Sequence, residues 1–151
     1  MNLTKNQCQH IAVDMNEQRQ DIIQQLPNSQ FLKGKISEKG NETFEEYTLE
    51  NLMTKYNTSK IDIMKMDIEG SEYNVLEQLI KIEMCQILVE LHSWDKNYKA
   101  FYEWLNKISK AGFYLVHFEI NEGTLQACEF TLIHQSCFKD YGAVLIKKFL
   151  S

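Results

Sequence analysis

The segment Asp67-Ile68-Glu69-Gly70 sets two carboxylates beside a glycine, at the point where an apolar run gives way to an amphipathic one. The free N–H groups at a helix start stabilise such anions, so the pair could hold a cationic ligand, a metal ion or a donor hydroxyl. Helix capping with solvated charge is the non-functional account of the same residues. Glu90 and His92 are two apart, so on a strand both face one side. A carboxylate beside an imidazole raises its basicity and orients it as a general base near neutral pH. A histidine satisfied within a core would show the same spacing. Trp94 either lines a pocket beside them or covers a sheet edge. Asp14 ends the short apolar run Ile11-Ala12-Val13, and an acid ending the second strand of a nucleotide-binding sheet accepts hydrogen bonds from ribose hydroxyls.

These residues can meet only if strands carry them to one edge. Apolar runs and amphipathic stretches alternate along the chain, the pattern of a parallel sheet covered by helices. Ile11-Ala12-Val13 reads as a strand, Glu17 to Leu26 as a helix stopped by Pro27, and Phe31 to Ile36 as a second strand. A polar loop around Gly40 follows, then a helix from Thr48 to Tyr56 with Thr48 as its N-cap. Ile61 to Ile68 is the clearest strand and reads as mostly buried. Gly70 turns it into a helix carrying Tyr73, Leu76, Leu79 and Ile80. Gln86 to Leu91 reads as a fourth strand, and Tyr98, Phe101, Tyr102, Leu105 and Ile108 mark a long helix whose aromatic stripe is expected in the core. Gly112 suits the left-handed position just past its end. Phe113–Ile120 and Cys128–His134 are joined by the turn-rich Asn121-Glu122-Gly123-Thr124, so they should form an antiparallel hairpin. Gly142 to Phe149 could be strand or helix. In an open sheet of this kind the ligand crevice lies beyond the carboxyl ends of the strands. Asp14, Asp67, Glu69, Glu90 and His92 fall on that rim, joined through the hairpin by Glu119, Asn121 and Glu129, while His134 falls at the opposite edge as a structural residue.

With 151 residues, 44% of them hydrophobic, the chain is expected to form one α/β domain, residues 1–151. No apolar run is long enough for a membrane-spanning helix. A net charge of -5, with Arg19 the one arginine, argues against nucleic acid as a partner, because bidentate phosphate and guanine readers are almost absent. Cys8, Cys85, Cys128 and Cys137 show no C-x-x-C spacing and read as buried free thiols. The N-terminus is too polar for a secretory signal. Glycosylation-type triplets occur at Asn2, Asn41 and Asn57 where chance would give about one, a weak hint of a secretory ancestor that is inert without a signal. The compartment is therefore open: cytoplasmic as the sequence stands, secretory if a leader segment precedes it.

The run Ile61-Asp62-Ile63-Met64-Lys65-Met66-Asp67-Ile68-Glu69-Gly70-Ser71-Glu72-Tyr73 resembles the D-x-E-G-x-E segment of FkbM-type S-adenosylmethionine-dependent methyltransferases. Glu90-Leu91-His92-Ser93-Trp94, Ala111-Gly112-Phe113, His117 to Asn121, and Cys128-Glu129-Phe130 are similar to the related animal methyltransferase-like branch. With Thr48-Leu49-Glu50, the resemblance spans roughly residues 9 to 135. It implies a Rossmann-like methyltransferase sheet, mostly parallel, whose last two strands form the reversed hairpin. It also implies S-adenosyl-L-methionine as cofactor, with Asp14 at the ribose, Ser37 in the loop past the adenine, and Asp67 and Glu69 facing the methionine moiety and the acceptor. Glu90, His92, Trp94 and Glu129 would line the acceptor side. Asp67 or His92 would handle the acceptor's proton, with no metal required.

The family's first strand ends in an acidic, glycine-rich loop around the methionine end of the cofactor. Here about ten residues precede the Ile11 strand, and the first glycine is Gly34. The expectation is a methyltransferase sheet without its first strand, a fragment or a degenerate copy, whose Ile11 and Ile61 strands are either separated by a gap or forced together. Two rivals remain. One is a non-catalytic scaffold derived from such a domain, with an exposed sheet edge open to a second copy. The other is a divalent-metal enzyme using Asp67, Glu69 and His92. The residues do not identify the methyl acceptor.

Overall fold

A computed structural model describes residues 8–25, 29–94 and 96–145. The Asn2 triplet, the Leu26-Pro27 helix stop and the tail beyond 145 lie outside them. The chain forms two compact units, Met1–Leu52 and Met53–Ser151.

In the first unit β1 (His10–Asp14) runs into α1 (Gln20–Gln25) and returns as β2 (Ser29–Lys33), parallel to β1 with Asp14 opposite Lys33. The Phe31–Ile36 run is broken at Gly34. A short parallel pair follows, β3 (Lys35–Ile36), the far end of that run, with β4 (Glu46–Tyr47), which lies in the stretch expected to be loop. Gly34 has φ 152°, and a Cβ there would lie 2.6 Å from both the Glu45 carbonyl oxygen and the Tyr47 ring. Its bare backbone serves this close approach. Thr48 caps α2 (Leu49–Lys55) reciprocally: its Oγ1 accepts the Asn51 N–H at 3.0 Å, and Asn51 Oδ1 accepts the Thr48 N–H at 3.1 Å.

The second unit holds β5 (Lys60–Met66), α3 (Glu72–Leu79), β6 (Glu83–His92), α4 (Tyr98–Lys110), β7 (Phe113–Ile120), β8 (Ala127–His134) and the short α5 (Phe138–Tyr141). Its sheet has the order β5-β6-β8-β7, with β5 parallel to β6 and the β7–β8 hairpin antiparallel, as the short link required. Helix α3 packs on β6 and α4, burying Val75, Leu76 and Leu79, while Trp104 and Ile108 of α4 and Cys85, Ile87, Val89 and Leu91 of β6 complete the core. Each such aliphatic side chain contributes about 1.5 to 3 kcal/mol of hydrophobic stabilisation. Gly112 takes φ 98° immediately after α4, the left-handed residue anticipated there.

Several expectations need correction. The Ile61 strand is not mostly buried: β5 is an edge strand of its sheet, and Ile63 is 60% exposed. Of the two arrangements expected for the Ile11 and Ile61 strands, forced pairing does not occur: β1 and β5 belong to separate sheets. The stripe on α4 is only partly core. Tyr98 and Tyr102 are exposed while Trp104 and Ile108 are buried, since at 100° per residue Tyr102 falls almost opposite Trp104. Cys85 and Cys137 are not free thiols but a disulfide joining β6 to the turn after β8, with Cα atoms 5.4 Å apart. Among the described residues Cys8 and Cys128 are free, and Cys8 is exposed rather than buried.

Candidate active site

Beyond Met66 the chain passes through Asp67 and Ile68, then takes positive φ at Glu69 (55°) and Gly70 (99°) before α3 begins. That reversal brings Glu72, the first residue of α3, back beneath the loop. Glu72 is fully buried. Its Oε1 accepts the N–H of Ile68 at 3.1 Å and of Gly70 at 3.3 Å, and lies 3.0 Å from His92 Nδ1. With two backbone donors already on this oxygen, the imidazole bond has Nδ1–H as donor. The Trp104 indole N–H donates to the Glu72 carbonyl at 3.1 Å, and Tyr73 O–H donates to the His92 carbonyl at 2.8 Å. One buried carboxylate therefore fixes both the D-x-E-G turn and the tautomer of His92.

His92 ends β6 and is 4% exposed. With its proton on Nδ1, Nε2 presents a lone pair to three carboxylates: Glu69 at 3.7 Å, Asp67 at 3.8 Å and Glu90 at 4.0 Å. Glu90 also accepts the Asn121 side-chain N–H at 2.7 Å. Burial, and then the Glu90 charge beside it, push the Asp67 carboxyl above its usual range, against the opposing pull of Lys65 and His92. Trp94 stacks on His92 with ring centroids 4.8 Å apart, and a Cβ on Gly70 would come within 3.3 Å of its indole. Across the sheet Glu90 pairs with Glu129 and Glu129 with Glu119, so three glutamates form one row on a single face. The arrangement is an acidic rim around one nearly buried, oriented imidazole.

In the first unit Asp14 ends β1 and is exposed, with Oδ1 accepting the Asn16 N–H at 2.7 Å. Beside it lies an open depression of about 210 Å³ lined by Asp14, Asn16, Glu17, Gln18, Arg19 and Ile22. Ser37 Oγ accepts the Gly40 N–H at 3.1 Å and so holds its own loop.

The strand-end rule thus brings Asp67, Glu69, Glu90, His92 and Trp94 together, with Asn121 on Glu90 and Glu129 one strand away. Asp14 and Ser37 belong to the first unit. The orienting partner of His92 is Glu72 rather than Glu90, and the strand-end rule alone does not reach it. Glu72 was visible as the last acid of D-x-E-G-x-E, but at a helix start it reads as a surface charge. His134 is structural, as its position implied: Nε2–H donates to the Ala111 carbonyl at 3.1 Å, and Nδ1 accepts the Ser136 N–H at 3.3 Å.

A family model described as the methyltransferase FkbM domain matches residues 4–115. Among solved structures the chain is similar to the Methanococcus jannaschii fibrillarin pre-rRNA processing protein, with a TM-score of 0.51 and 14% sequence identity. The match covers 83% of this chain and 55% of that one, so the chain spans little more than half the length of that structure. No curated protein matches it by sequence. The likeness gives the fold, a mixed α/β arrangement of the Rossmann-like methyltransferase type.

Proposed function

The chain belongs to the FkbM methyltransferase family, and on that premise we propose that it binds S-adenosyl-L-methionine and directs methyl transfer to an acceptor at the acidic rim. The family match carries this reading. The residues suit the cofactor chemically: Asp14 stands free of the core beside a depression, able to accept from ribose hydroxyls. Ser37 would lie along the adenine. Asp67 and Glu69 would face the methionine moiety and the acceptor. When bound, the cofactor supplies an electrophilic methyl group on a sulfonium, and the protein's own share is alignment and proton removal. Glu90, Trp94 and Glu129 would line the acceptor side. His92 takes the acceptor proton at Nε2, the nitrogen that Glu72 leaves free, with Asp67 as the alternative acceptor of that proton.

Calorimetric titration with S-adenosylhomocysteine tests the reading. Binding should be measurable for the wild type and at least about tenfold weaker in Asp14→Ala, the cost of one charge-assisted hydrogen bond. Absence of heat with the wild type would favour a non-catalytic scaffold derived from the family. The edge position of β5 and the five exposed apolar side chains of β7 (Tyr114, Leu115, Val116, Phe118 and Ile120) support such a module, pairing through a sheet edge with a second copy. Among the described residues no helix is long and apolar enough to cross a membrane. The Cys85–Cys137 disulfide supports an oxidising compartment.

A further inference from the structure

We propose that His92, Asp67 and Glu90 form a binding site for one divalent cation, with Glu69 at its open side. One ligand atom from each of Asp67, Glu90 and His92 lies within 4.8 Å of the others, a spacing that admits an ion at about 2.1 to 2.5 Å from each donor after small side-chain rotations. An acidic cluster alone would not make such a site, and two further features set this one apart. His92 is almost wholly buried, and its Nε2 points into the cluster with no hydrogen-bond partner within reach among the described residues. Its Nδ1 is bonded to the fully buried Glu72, which itself is held by two backbone N–H groups. Proteins prepare histidines for metals in this way: a carboxylate on the far nitrogen fixes the tautomer and aims the near nitrogen. Glu90 is similarly steadied by the Asn121 amide.

The donor set, one imidazole and two or three carboxylates with an open side toward Glu69, matches an ion that accepts both nitrogen and oxygen and keeps water or substrate ligands. Mn²⁺ meets these demands better than Mg²⁺, which prefers oxygen alone. The site shares residues with the methyl-acceptor rim but does not depend on methyl transfer. Because His92 Nε2 cannot hold a cation and accept a proton at once, occupancy also decides which role this imidazole fills.

The test is titration of the tag-free full chain with MnCl₂ in the absence of cofactor, followed by calorimetry and by loss of the free Mn²⁺ electron-spin-resonance signal. One ion per chain is expected, with affinity lowered at least tenfold in His92→Ala and in Glu90→Gln. Glu72→Gln retains every direct donor and should weaken binding about 10- to 100-fold through misorientation of the imidazole. Circular dichroism spectra matching wild type keep each variant interpretable, and Glu90→Gln, the most conservative change, stands in if His92→Ala fails to fold. No binding at 1 mM free Mn²⁺, or wild-type affinity in both His92→Ala and Glu90→Gln, would overturn the proposal. A parallel titration with S-adenosylhomocysteine reports separately on the methyltransferase reading.

Discussion

The second unit carries a histidine at each end of its central strands, and the two are used in opposite ways. His134, at the end of β8, spends both nitrogens: Nε2–H on the Ala111 carbonyl and Nδ1 on Ser136, with the Phe113 ring edge-on at 4.9 Å. His92, at the end of β6, spends only Nδ1, on a carboxylate that is itself fully buried, and leaves Nε2 facing Asp67, Glu69 and Glu90. The End holding His134 is also where Cys85 and Cys137 are joined. One end is tied down by closed bonds. The other gathers like charges that repel unless something positive arrives. Burial does not separate the two residues, since His92 is the more buried; the number of satisfied ring nitrogens does.

The largest effect should come from the closed end. Replacing Cys85 and Cys137 together by Ser opens a link across 52 residues, which the chain-entropy account values at about 4 kcal/mol. Urea unfolding without reductant should show that loss, and dithiothreitol should bring the wild type to the same midpoint. Next, Glu72→Ala leaves two loop N–H groups and the His92 Nδ1–H without their acceptor and should cost about 3 kcal/mol, with Glu72→Gln distinctly milder because its amide oxygen still accepts. His134→Ala should cost about 1 to 2 kcal/mol yet leave S-adenosylhomocysteine binding at wild-type strength. If it abolished that binding, the division between the two ends would fail.

Glycines mark both ends and allow a matched pair. Gly112→Ala strains φ 98° and sets a Cβ 2.8 Å from His134 Nε2, so about 1 to 2 kcal/mol should be lost at the closed end. Gly70→Ala strains φ 99° to a similar degree but presses on the Trp94 indole, so it should also disturb the rim, visible as a change in tryptophan fluorescence. The smallest effect concerns neither end. Glu77 of α3 pairs with Lys107 of α4, and that bond, with the lysine's charge, lowers the Glu77 carboxyl below its usual range. A depressed carboxylate contributes stability above its unfolded value and loses it as pH falls through the folded one. Below about pH 4.5 the wild type should therefore lose a small increment that Glu77→Gln lacks, in urea midpoints at low salt.

Much of this was legible in the chain. The hairpin followed from a four-residue link rich in turn formers, Thr48 from its place before an apolar helical face, and Gly112 from its place after one. Asp67, Glu69, Glu90 and His92 could be grouped because strand ends and alternate spacing are local facts, and local facts survive folding. The edge position of β5, the exposed tyrosines of α4 and the short β3–β4 pair were not legible. Each depends on what lies alongside, and periodicity says which residues share a face without saying whether that face is covered.

Three matters were decided by tertiary structure alone. The disulfide joins residues 52 apart in sequence, and no spacing rule marks the pair. The partner of His92 proved to be Glu72, twenty residues earlier, because the positive-φ turn at Glu69-Gly70 folds the loop N–H groups onto that carboxylate while Trp104 holds the Glu72 backbone carbonyl. The free nitrogen of His92 is the third. Sequence could supply an imidazole and the acids around it, but which nitrogen keeps a lone pair is set by where the proton goes. That depends on the position of one buried oxygen in space.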